Sequence, residues 1–161
     1  MSADPPWLAA ARRDIGLREL PGAPTAPRIA RWLQDLGAWW RDDETPWCGT
    51  AVAAWMRAAD RPIPKAWYRA RAWAEWGQAI AAPLPGCVVV LARQGGGHVG
   101  LVVGRNAAGW LLVLGGNQGN AVNVAAFDPS RVLAYRWPPG VQIPPPTKLA
   151  LGTAAASTSE A

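Results

Sequence analysis

Residues 85–104 read Pro-Gly-Cys-Val-Val-Val-Leu-Ala-Arg-Gln-Gly-Gly-Gly-His-Val-Gly-Leu-Val-Val-Gly. Two apolar runs of strand length, residues 87–92 and 98–103, are separated by a short glycine-rich connection, so they are expected to pair antiparallel. The same rhythm of β-rich run and Gly/Asn punctuation continues through residues 110–114, 121–127 and 131–137. Upstream the punctuation is that of helices. Pro5-Pro6 opens residues 7–15 and Gly16 closes them, and Pro27 opens residues 28–36 and Gly37 closes them. Ile29, Trp32, Leu33 and Leu36 recur at helical spacing, one buried face. A third helix is expected from Thr45-Pro46 to about residue 59, with Ala51, Val52, Trp55 and Met56 inside, and a shorter one over residues 67–76. Helices first and an antiparallel sheet of five to six strands second define an α+β domain over residues 1–137. Residues 138–161, rich in Pro, Ala, Ser and Thr without apolar period, are expected to form a disordered or extended tail.

A chain of 161 residues, 50% hydrophobic, has the length of one domain and enough apolar surface for a core, which excludes disorder throughout and a disulfide miniprotein. The longest apolar runs are strand-sized, whereas a spanning helix needs about 20 apolar residues, so no membrane insertion is expected. The opening Met-Ser-Ala-Asp-Pro-Pro lacks a basic region followed by an apolar run, so synthesis in the cytoplasm without a signal peptide is expected. The net charge of +5 is carried by 14 arginines and 2 lysines against 11 acidic residues, a balance that favours polyanions. The arginines are scattered and no nucleic-acid signature accompanies them, so the charge reads as steering and no nucleic-acid partner is expected. Eleven tryptophans stand beside one Phe and two Tyr, and most are expected in the core, with a minority lining a cleft.

Thr45 as N-cap and Pro46 as first helical residue put Cys48 at the third position of its helix. There the unpaired backbone N–H groups and the helix dipole favour thiolate, the form of cysteine that attacks carbonyls. His98 is the single histidine of the chain, and a cysteine nucleophile here needs it as base. Glycines on both sides, Gly97 and Gly100 nearby, leave its approach open. A third residue should accept the other imidazole N–H, and Asn117 in Gly115-Gly116-Asn117-Gln118-Gly119-Asn120 is the favoured one, with Gln118 the lesser choice. Asp42, Asp43 and Glu44 read either as a solvated loop or as a site for a substrate amine. Cys48, Cys87 and His98 are one ligand short of a closed Cys/His zinc site, so neither a metal nor another cofactor is expected, and a disulfide between the cysteines is not expected either.

Pro46-Trp47-Cys48 opening a helix, then Pro85-Gly86-Cys87-Val-Val-Val, Gly97-His98-Val99-Gly100 and Leu-Gly-Gly-Asn117-Gln, resemble the NlpC-like and CHAP cysteine peptidase/amidase superfamily. Gly16-Leu-Arg-Glu19-Leu-Pro21-Gly22 is similar to a motif of its compact phage and prophage branch, and the resemblance spans about residues 7–137. It implies a papain-like fold and hydrolysis of a peptide or amide bond in bacterial peptidoglycan through a cysteine thioester. Carried over, Cys48 is the nucleophile, His98 the base and then acid, and Asn117 the orienting residue, with Trp47, Glu44 and Gln118 as substrate contacts. It further implies a monomer that needs no metal and reaches the wall after lysis or injection. One departure is Cys87, where the family usually has Asp. Two other classes compete: a glycan-cleaving enzyme using Glu19 or Glu44 with an Asp partner, and a non-catalytic wall-binding module that stacks tryptophans on sugars.

Overall fold

The computed structural model describes residues 4–19, 26–41 and 46–157. Among them, three α-helices, α1 (Pro6–Arg13), α2 (Pro27–Asp35) and α3 (Cys48–Ala58), precede the strands β1 (Gln78–Ile80), β2 (Val88–Arg93), β3 (Gly96–Arg105), β4 (Leu111–Gly115), β5 (Asn123–Phe127) and β6 (Val132–Trp137). All six strands form one antiparallel sheet in the order β1-β6-β2-β3-β4-β5, so the domain is α+β. The strand register sets Leu91 opposite His98 and Gly115 opposite Asn123. Both faces of β2 are buried from Val88 to Leu91, as befits a central strand.

Proline starts and glycine stops act where the sequence places them. Pro6 and Pro27 lie in the first turns of α1 and α2, and Gly16 and Gly37 follow their ends with φ of 103° and 80°. The start of α3 differs. Thr45 lies outside the described residues; Trp47 is the N-cap, its carbonyl accepts the first intrahelical bond from Ala51 N–H, and Cys48 is the first helical residue instead of the third. Residues 67–76 hold only a 3-10 turn, Ala70–Glu75. Side chains fasten this segment: the indole N–H of Trp73 donates to the Trp67 carbonyl at 3.0 Å and that of Trp76 to the Pro62 carbonyl at 3.1 Å. Strand β1, three residues long, is too short for alternation to reveal it.

The helices are tied together by a buried carboxylate. Asp14, just past α1, accepts from Trp55 Nε1 of α3 at 2.9 Å and from Arg28 Nε of α2 at 2.6 Å. Trp55 itself is buried against Trp32 in an edge-on contact. Residues 16–19 then pair with the loop after β4: Gly16 N–H donates to the Val122 carbonyl, Val122 N–H to the Leu17 carbonyl, and Glu19 N–H to the Asn120 carbonyl. Beyond β6 the Pro-rich segment runs extended, and Ala150, Gly152, Ala155 and Ser157 bond to the backbone of Arg105 and Ala126. No helix among the described residues is long and apolar enough to cross a membrane.

Trp55→Phe keeps most of the ring but removes the donor to Asp14, and a hydrogen bond to a buried carboxylate is worth about 1.5–3 kcal/mol. A loss of that order in urea unfolding is expected, with an unchanged m-value.

Candidate active site

Helix α3 packs its first turn on β3, and this brings together residues 50 positions apart. Cys48 at the helix start is 3% exposed, His98 near the start of β3 is fully buried, and Gln118 in the loop after β4 is 2% exposed. The His98 Nε2 and Gln118 Oε1 atoms are 2.9 Å apart. Gln118 Nε2 faces acceptors only, the carbonyls of Val113 and Asn123 and the Asn123 Oδ1. Its oxygen therefore has to face the imidazole, which makes His98 Nε2 the protonated nitrogen and leaves Nδ1 for the thiol. The ring is further held by stacking on Phe127, with centroids 5.3 Å apart and an interplanar angle of 17°.

Burial pushes the Cys48 thiol up, but the hydrogen bond and charge of His98, with backbone N–H groups of Val99 and Gly49, outweigh it and hold the thiol below its ordinary range. At Cys87 burial outweighs the backbone hydrogen bonds at Leu84 and Cys87 and raises the thiol to about 12. Both thiols are free. The amides of Cys48, Gly49 and Thr50 precede the first intrahelical bond, a set of donors suited to a developing oxyanion.

The sites expected from sequence are distributed unevenly over this geometry. Cys48 and His98 meet. The orienting contact assigned to Asn117 is made by Gln118: the turn bends through Asn117, which adopts φ 59°, and the next side chain, one carbon longer, spans to the ring. Gln118 is thereby engaged behind the histidine. Trp47, expected to touch substrate, is 1% exposed; its ring lies against Gly116 and Trp32 and its Nε1 donates to the Glu19 carboxylate. Glu44, Asp42 and Asp43 lie outside the described residues. Glu19, the alternative glycosidic acid, is the carboxylate that holds Trp47 beside Cys48. No group of three or more His, Cys, Asp or Glu side chains is gathered as metal ligands among the described residues.

A cleft of about 350 Å³ opens on Cys48, walled by Tyr68, Arg69, Arg71, Arg93 and the Gly96-Gly97 backbone. Tyr68 also borders a second cleft of about 450 Å³, with Leu36, Ala38, Trp39, Trp40 and Trp67. There Trp40 stacks on Trp67 and Trp39 is 90% exposed. Sequence reading did not single out these wall residues; the run Trp67-Tyr68-Arg69-Ala70-Arg71, aromatic beside basic, was the available signal. A larger cavity, about 540 Å³ between α1, α2 and α3, contains neither Cys48 nor His98. In comparisons with family models, curated proteins and solved structures, nothing matches this chain.

Alkylation at neutral pH should modify Cys48 and spare Cys87. Because the Cys48 thiol is depressed, its rate should stay on a plateau as pH falls from 8.5 and decline only below the ordinary thiol range. In His98→Ala burial acts unopposed, and the neutral-pH rate should drop by at least about tenfold; peptide mapping after iodoacetamide at a series of pH values reads both.

Proposed function

We propose that this protein is a cysteine peptidase or amidase of papain-like architecture that hydrolyses an amide bond in bacterial peptidoglycan. The observation that carries the reading is the buried line from Cys48 through His98 to Gln118 at the start of α3. The spacing Pro46-Trp47-Cys48, Gly97-His98-Val99 and Gly116-Asn117-Gln118 supports the NlpC-like and CHAP relationship.

In this mechanism His98 Nδ1 takes the Cys48 proton while Nε2–H stays bonded to Gln118. The thiolate attacks the amide carbon, and the first-turn amides of α3 receive the negative charge that develops on oxygen. The imidazolium then gives its proton to the leaving nitrogen, the C–N bond breaks, and an acyl thioester remains. Water, deprotonated by Nδ1, attacks the thioester; the carboxylic acid leaves and the thiol is restored. Gln118 supplies no proton. It holds the ring so that one nitrogen always faces sulfur, the part played by the third member of a nucleophile-base-orienter set.

The aromatic cleft beside the nucleophile supports a wall substrate, since exposed indole rings stack on sugar faces and Trp39 is open to them. The proposed role is that of a phage-type lysin or prophage-derived wall hydrolase, working as a monomer on the wall after lysis or injection.

Purified sacculi digested with wild type should yield new amino termini and no new reducing ends by mass spectrometry. Cys48→Ala should yield neither, and Gln118→Ala should cut the rate by about 10- to 100-fold through loss of ring orientation. Equal fragments from wild type and Cys48→Ala would overturn the reading.

A further inference from the structure

The cleft over Cys48 carries a charge that the mechanism above does not use. Three of its wall residues are arginines, Arg69, Arg71 and Arg93, and none of the described residues lining it is acidic. The ion pairs among the described residues, Arg12 with Asp4, Arg28 with Asp14 and Arg31 with Asp35, all lie elsewhere. An unneutralised cationic wall on a nucleophile's cleft asks for an anion from the substrate.

Two of the three guanidinium groups are held in place by backbone. Arg71 donates through Nε and Nη2 to the Gly96 carbonyl, at 3.0 and 2.8 Å, and Arg93 donates through Nε to the Gly97 carbonyl at 3.2 Å. These carbonyls belong to the start of β3, one and two residues before His98. The bonds fix the planes of the two groups while leaving Nη1 of Arg71 and both terminal nitrogens of Arg93 without a partner among the described residues. That is the pre-organised donor fork that matches a carboxylate. Arg69 lies over the ring of Tyr68, 5.9 Å from its centroid. Gly97 keeps the space between them open: a Cβ there would stand 3.1 Å from Arg71 Cγ and 3.3 Å from the Leu91 carbonyl. The arginines are not what ionises the nucleophile, because the groups that lower the Cys48 thiol are His98 and the Val99 and Gly49 amides. No ion pair among the described residues engages Arg69, Arg71 or Arg93.

We infer that the Cys48 cleft selects an acidic peptide, with a free carboxylate beside the scissile amide received by Arg69, Arg71 and Arg93. The inference rests on Cys48 being the nucleophile of an amide hydrolase, and it narrows the substrate to stem peptides whose carboxylates are free rather than amidated.

The charge of the cleft is read separately from hydrolysis by alkylating Cys48 with an anionic and a neutral reagent. The ratio of iodoacetate to iodoacetamide rate constants, divided by the same ratio for free cysteine, should exceed unity by about tenfold, the effect of one charge-assisted hydrogen bond. It should fall toward unity in Arg69→Gln and in Arg93→Gln, and in wild type as salt is raised to 1 M. A ratio equal to that of free cysteine, with Cys48 labelled by both reagents, would overturn the carboxylate site and leave the nucleophile standing. Failure of both reagents to label Cys48 would overturn the nucleophile and the inference together. In the substrate arm, muropeptides with free carboxylates should be cleaved by wild type with kcat/KM at least about tenfold above their amidated forms; equal values would overturn the inference while sustaining the hydrolase.

Discussion

The arrangement of the site depends on the approach of the first turn of α3 to β3, β4 and the segment at residues 67–68. Three glycines set that distance. A Cβ on Gly49 would stand 2.4 Å from the Trp67 carbonyl, one on Gly116 2.7 Å from both the Trp47 ring and Ala51 Cβ, and one on Gly115 2.4 Å from Gln118 Oε1. Overpacking of this kind costs about 1–3 kcal/mol when neighbours yield, and more where they are backbone. Move the helix outward to admit a side chain, and Cys48 leaves His98 or Gln118 loses its place behind the ring. The geometry of Cys48, His98 and Gln118 and the packing of the core are therefore one problem, solved by the absence of side chains at three positions.

The second requirement is the satisfaction of polar groups taken out of water. Cys48, His98 and Gln118 are all buried, and burial of an unbonded polar group costs about 1–3 kcal/mol. Gln118 answers this with its amide nitrogen on acceptors from β4 and β5 and its oxygen on the histidine, and Asn123 Nδ2 returns a bond to the Gln118 carbonyl. Such a network leaves the imidazole one tautomer and one orientation. Rigidity bought here is the condition for using His98 as a base, because a ring free to flip would present the wrong nitrogen half the time.

The excess of tryptophan acquires two meanings. Buried rings close gaps between layers, and their N–H groups act as fasteners to distant backbone: Trp7 to the Gly86 carbonyl, Trp73 to Trp67, Trp76 to Pro62 and Trp137 to Gln142. The bonds of Trp73, Trp76 and Trp137 hold segments poor in regular secondary structure, and that of Trp7 ties α1 to the turn before β2. Trp39 and Trp40 stand apart from this scheme, on a surface continuous through Tyr68 with the cleft at Cys48.

Period, punctuation and composition determined the α+β class, the antiparallel pairing and the proline-started helices α1 and α2, and pointed to the pairing of Cys48 with His98, because these follow from local rules and from there being a single histidine. What local rules do not contain is distance. Whether Asn117 or Gln118 reaches the imidazole depends on how the turn after β4 bends, and φ 59° at Asn117 is a tertiary outcome of the loop pairing with residues 16–19. Trp47 looked like a substrate contact beside the nucleophile, but the core needed its ring and Glu19 its indole N–H. Arg69, Arg71 and Arg93, scattered over the sequence, become one wall only when β2, β3 and the 3-10 turn at residues 70–75 fold around a shared cleft. The chemistry was written in residue types; its orientation and its selectivity were decided by packing, since a buried polar group can take only the partner that the fold brings within bonding distance.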